Sequence, residues 1–269
     1  MNYIRKISQT FIDDLNTGKL KKLLDVLKAD YELQLEIRQN YISVYFFGGQ
    51  LFRVKSNLQK SGYNFTFDIR YCLNEQDENF VGAVKKDDID TWIKAIPTLK
   101  RIMKDWHIKN NKLERQLQQN FCRENTKADS LYFVFDMEYQ VGSIGRVDML
   151  GFVKRGKELK IVLIELKQKN AALYNKAGLI KHYKDFVHLI ENYKDILLET
   201  AKSTYANKVS LGLIPNCFDM STLSGFEILF ALYDYNEKGA LDKVLSDIKE
   251  LNENIPFACV KISKGTYNL

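Results

Sequence analysis

The chain has 269 residues, 45% of them hydrophobic and 28% charged, and a net charge of +6. No run approaches the roughly 20 apolar residues that cross a bilayer. The opening "MNYIRKISQTFIDDLN" meets Asp13 and Asp14 before any sustained apolar core, so neither a membrane span nor a secretory leader is expected. Four cysteines (Cys72, Cys122, Cys217 and Cys259) form no CxxC pair, and there are only three histidines. That pattern argues against structural zinc and for free thiols in a reducing, cytoplasmic setting.

Taken in chain order, "FIDDLNTGKLKKLLDVLKAD" has helical spacing. Four strand-like runs follow: "YELQLEIR", "YISVYFF", "QLFRV" and "YNFTFDIRY". The breaks at Arg38-Gln39-Asn40 and Gly48-Gly49 have the length of hairpin turns. "DDIDTWIKAIPTLKRIMKDWHIK" is helical, with Pro97 expected to start or kink a turn inside it. Tyr41, Tyr45, Phe46, Phe47 and Phe52 are stacking platforms in principle, but aromatics at such spacing are ordinarily sheet core. These elements predict an N-terminal α+β accessory domain over residues 1–107.

The pattern changes from residue 108. "NKLERQLQQNFCREN" forms a helix with Leu113, Leu117 and Phe121 as its apolar stripe. "SLYFVFDMEYQVG" reads as a strand, and "GRVDMLGFVKRGKELKIVLIELK" as a hairpin turning at "KRGKE". A long amphipathic helix, "GLIKHYKDFVHLIENYKDILLETA", turns Leu179, Tyr183, Phe186 and Ile190 to one side. "KVSLGLIPN" and "FEILFALYD" are expected as strands, and "ALDKVLSDIKELNEN" as a closing helix. The order of helix, three strands, helix and strand predicts an α/β (α+β) domain over 108–269, its mixed central sheet flanked by helices.

Chemistry concentrates where the second arm of the hairpin ends. Of three acidic-x-lysine tripeptides, only Glu165-Leu166-Lys167 closes a buried strand. Alternation turns Glu165 and Lys167 to one face and Leu166 to the other. Asp148 on the first arm lies eight residues from the tip at Gly156 and Glu165 nine, so the two carboxylates can neighbour each other. Glu114 and Gln118 sit one turn apart on the preceding helix. Residues 154–185 hold nine basic side chains against three acidic ones, as large an excess as the whole chain carries. A solvated helix face accounts for such a run, and so does a polyanionic partner. Each acidic residue alone also has a plain reading as an exposed strand end or surface charge.

Together, Glu114 in "LERQLQQ", Asp148 in "RVD", and Glu165 and Lys167 in "IELK" resemble the PD-(D/E)XK nuclease superfamily, whose fold is restriction-endonuclease-like. The resemblance spans roughly residues 108–235 and includes the αβββαβ element order; Val147 stands where the family's proline would be. It implies a hydrolase of phosphodiester bonds that uses Mg2+ or Mn2+, with nucleic acid as partner, DNA ahead of RNA, and a homodimer as one possible arrangement. Magnesium favours a few carboxylates with waters. Asp148, Glu165 and the Leu166 carbonyl are thus the expected ligands, with Glu114 at a second metal or a metal-bound water. Lys167 is expected to orient the attacking water and to stabilise charge on the phosphorane. Gln118, Lys169, Lys181 and His182 are expected as supporting or phosphate-binding residues; for Tyr183 a helix-surface or core role is expected ahead of one near substrate. The alternative is an inactive protein of the same fold that binds nucleic acid or another protein.

Overall fold

The computed structural model describes residues 3–57, 62–67, 89–110, 113–141, 146–168, 173, 178–235, 239–251, 254–263 and 267. Lys169, Cys72, the end of the fourth expected run (residues 68–71) and the Leu113 side chain lie outside the described residues. The chain forms two compact units. One comprises residues 4–119 with 203–213; the other comprises 1–3, 120–202 and 214–269. This division is discontinuous and falls within two helices, where the sequence reading has one boundary at 107/108.

In the first unit, the N-terminal stretch of helical spacing forms two helices, α1 (Gln9–Asn16) and α2 (Lys21–Ala29). Ser8 caps α1 by accepting the Phe11 N–H at 3.2 Å. The chain breaks at Gly18, where a Cβ would lie 2.4 Å from the Asp14 carboxylate. Four antiparallel strands, β1 (Gln34–Ile37), β2 (Tyr41–Phe46), β3 (Gly49–Asn57) and β4 (Gly62–Phe67), form one sheet in chain order. Asn40 and Gly48 take positive φ at the first two turns, as their small or self-bonding side chains permit. The helix α3 (Ile89–Lys109) runs through Pro97. Its buried Ile96, Leu99, Ile102 and Met103 hold the turns on both sides of the proline to one core. Tyr45, Phe46 and Phe52 are sheet core, and Phe65 stacks on Trp92 at 5.1 Å.

The first seven residues of α4 (Leu113–Glu124) and the last eight of α5 (Leu179–Ser210) also belong to this unit. The expected strand at "KVSLGLIPN" is thus the end of a helix followed by a turn at Leu211–Gly212. Its alternation was an accident of a helix whose Lys208 is buried. Lys208 Nζ donates to both oxygens of Glu36 on β1, each at 2.8 Å, so a charged residue occupies a core position because its partner is there too.

The second unit carries a five-stranded mixed sheet in the order β5 (Tyr132–Tyr139), β6 (Val147–Arg155), β7 (Glu158–Gln168), β8 (Leu223–Tyr233), β9 (Phe257–Ile262). The first three strands are antiparallel neighbours, and β8 and β9 join in parallel. Parallel pairing requires crossovers, which α5 and α6 (Ala240–Leu251) supply. The strand β9 had no expectation in the sequence. Gly156, at φ +63°, makes the two-residue turn between Arg155 and Glu158. Val147 to Val153 and Ile161 to Leu166 are buried almost without interruption, as in strands covered on both faces.

Glu227, the charge that interrupts "FEILFALY", is buried on β8 and receives Arg155 through Nε at 3.0 Å and an η nitrogen at 2.6 Å. Leu179, Tyr183, Phe186 and Ile190 form the buried face of α5, which breaks helical geometry at Tyr193. Among the described residues, no helix is long and apolar enough to cross a membrane.

Candidate functional site

The site is built on β7, the central strand of the five. Met149 pairs with Ile164, so continuing the antiparallel register by one step sets Asp148 opposite Glu165. Residues directly opposite share a face, and alternation along β7 adds Lys167 to it. The counting from the turn therefore agrees with the observed register.

Both carboxylates are buried, Asp148 at 5% and Glu165 at 2% of full exposure. Burial of charge demands partners, and they are present. Asp148 Oδ2 accepts the backbone N–H of Leu166 at 3.0 Å. Glu165 Oε1 meets Lys167 Nζ at 2.6 Å and His182 Nε2 at 3.2 Å. Lys167 Nζ lies 3.0 Å from the same His182 nitrogen. His182 reaches the strand from the first turn of α5, where its N–H bonds the Gly178 carbonyl.

Asp148, Glu165, Leu166, Lys167 and His182 thus come together within one unit. Glu114 is exposed on the part of α4 that belongs to the first unit, and Gln118 is buried in that unit. Lys181 pairs with Asp185 one turn along α5 and is exposed. Tyr183 points into the core and donates to the Ile255 carbonyl at 3.2 Å. Burial holds its phenol above the ordinary tyrosine range, so it packs as a neutral group.

One further acidic residue stands beside the expected set. Glu138 lies between the pairs Met137–Met149 and Tyr139–Val147, level with Asp148 on the neighbouring strand. Its φ of +52° is a strained value for a residue with a Cβ, and its Oε1 meets an Arg146 η nitrogen at 3.2 Å. The signal was available in "FDMEYQ", where two acids interrupt an otherwise apolar strand.

Among the described residues, no group of three or more His, Cys, Asp or Glu side chains could hold a metal ion. The donor set here is two carboxylates and the Leu166 carbonyl. That set suits a hard cation retaining most of its waters, as magnesium does, and does not suit zinc. A carboxylate offers about four lone-pair sites over two oxygens, so the bonds to Leu166 and Lys167 leave either group able to bind further.

No family model matches the chain, and neither the curated proteins nor the solved structures contain a match to it.

Proposed function

We propose that the chain is a divalent-metal-dependent nuclease with a restriction-endonuclease-like second unit, hydrolysing phosphodiester bonds in DNA. The observation that supports this best is the register itself. Asp148 stands opposite Glu165, with Lys167 two residues further on the same face, all at one end of a buried central strand. Burying two acids beside a partly exposed lysine carries a desolvation cost that offsets most of their attraction. The order α4, three strands, α5 and β8 supports the same reading, as does the basic excess over 154–185.

In this reading Asp148, Glu165 and the Leu166 carbonyl hold Mg2+ or Mn2+. The ion when bound supplies polarisation of the phosphate and a more acidic water. The Asp148 bond to Leu166 N–H fixes the backbone between the two other donors. Lys167, beside Glu165 at 2.6 Å, presents a positive charge that orients the attacking water and stabilises the extra charge on phosphorus-bound oxygens. The residues assigned to the site all belong to the second unit.

The test is cleavage of linear, circular and single-stranded DNA, and of RNA, with Mg2+ or Mn2+, run beside Asp148→Ala and Lys167→Ala. Metal-dependent cleavage lost in both variants is expected. Equal cleavage by wild type and Lys167→Ala would mean another active site.

A second reading, an inactive member of the fold that binds nucleic acid or protein, is favoured by one observation. Lys167 already balances Glu165 without a cation. Metal-independent binding of DNA without turnover would support it.

A further inference from the structure

We infer that His182 is a positioning residue for Lys167, accepting a hydrogen bond from Nζ at its Nε2 and so leaving the ammonium one N–H for a single phosphate oxygen. The contact with the lysine stands on the geometry alone; the phosphate rests on the nuclease reading above.

An ammonium has three donors and no lone pair. A hydrogen bond from Lys167 Nζ to His182 Nε2, 3.0 Å apart, uses the lone pair on Nε2 and places the ring proton on Nδ1. The remaining contact agrees. Glu165 Oε1 and His182 Nε2 lie 3.2 Å apart, a separation at which two acceptors can share one cation between them. Lys167 Nζ is that cation, 2.6 Å from one acceptor and 3.0 Å from the other. Two of its three N–H groups are thereby taken inside the protein.

A lysine side chain has four rotatable bonds and ordinarily spreads over many rotamers. At the end of a strand only Glu165, two residues away on the same chain, would restrain it. His182 adds a restraint from a different element, α5, whose Tyr183 and Phe186 anchor it in the core. The Phe186 ring, 6.1 Å from the imidazole centroid, lies against the same histidine. Two fixed acceptors set the direction of the third N–H, and a preset donor acts on a developing charge without reorganising.

Two measurements test this. Long-range 1H–15N spectra of the metal-free full chain should show His182 protonated at Nδ1 and not at Nε2, with both resonances moving in Lys167→Ala. A proton on Nε2 in the wild type overturns the inference. In cleavage assays, His182→Ala should lower kcat roughly 10- to 100-fold, the usual cost of losing a group that orients a primary one. KM and the Mg2+-induced rise in Tm should be unchanged. His182→Gln, whose amide oxygen can accept from Nζ, should recover most of the loss. Full activity in His182→Ala beside an inactive Lys167→Ala overturns the positioning role and leaves the nuclease reading intact. The expected Nδ1–H form together with no cleavage of any substrate overturns the nuclease reading and leaves the lysine–histidine contact supported.

Discussion

Asp148 and Leu166 are joined across the end of the β6–β7 ladder, the carboxylate Oδ2 accepting the leucine N–H at 3.0 Å. A side chain here takes the place of a ladder carbonyl, so the same acid that is proposed to hold the cation also closes the sheet. The two roles separate by substitution. Asp148→Asn keeps an acceptor for Leu166 and should leave the metal-free Tm near that of wild type. Asp148→Ala leaves a buried N–H without its acceptor and should cost about 1–3 kcal/mol in urea unfolding. Both should lose the rise in Tm that Mg2+ or Mn2+ gives by binding the folded state. A full metal response in Asp148→Asn would remove this acid from the proposed site.

Lys208 and Glu36 form a buried ion pair between residues 172 positions apart, with Arg38 3.8 Å from the same carboxylate. Lys208→Met removes the cation nearest to Glu36 and leaves it Arg38 and the Gln34 amide, which should cost less than the about 3–5 kcal/mol of a fully stranded buried charge. Adding Glu36→Leu should restore part of that loss, because the second charge no longer lies buried. A double-mutant cycle by chemical unfolding measures the coupling. Strictly additive losses would show that the pair contributes nothing as a pair.

Gly48 has φ +82°, and a Cβ there would lie 2.2 Å from the Arg115 backbone. Its N–H donates to Gln119 Oε1 at 2.6 Å, fastening the β2–β3 turn to the first half of α4. Gly156 also has positive φ, but nothing lies within 4 Å of its missing Cβ. Gly156→Ala should therefore carry only the left-handed backbone cost, about 1–2 kcal/mol. Gly48→Ala should cost clearly more, since backbone must move as well. Comparable midpoints for the two variants would contradict the close approach.

Burial pushes the Cys259 thiol up to about 11, with Lys261 pulling weakly the other way. Thiolate is the reactive form, so alkylation of Cys259 in the folded chain should be slow at pH 8 and accelerate only well above pH 9. The linkage has a definite sign. Between the unfolded value, about 8.5, and about 11, the folded state holds a proton that the unfolded state has lost. The contribution is complete below the unfolded value and is lost as pH rises through that window. Cys259→Ala should flatten the alkaline fall in stability; an unchanged fall would assign it to other groups.

Much of this could be read from the sequence alone. Alternation and turn residues marked β1 to β4 and the β6–β7 hairpin, because a strand's period of two and a glycine at positive φ are local properties. The same local rules turned Glu165 and Lys167 to one face and, by counting from Gly156, set Asp148 beside them. Tertiary structure decided the rest. Nothing near Lys208 in sequence announces Glu36, so a buried charged helix end was mistaken for a strand. Helical periodicity showed that α5 has an apolar face, but not that His182, beside that face, reaches the end of β7. Nor did the sequence show that α4 would divide between units, leaving Glu114 exposed in the first. Periodicity tells which side of an element is apolar; what covers that side depends on contacts between residues far apart in the chain, and only folding brings those together.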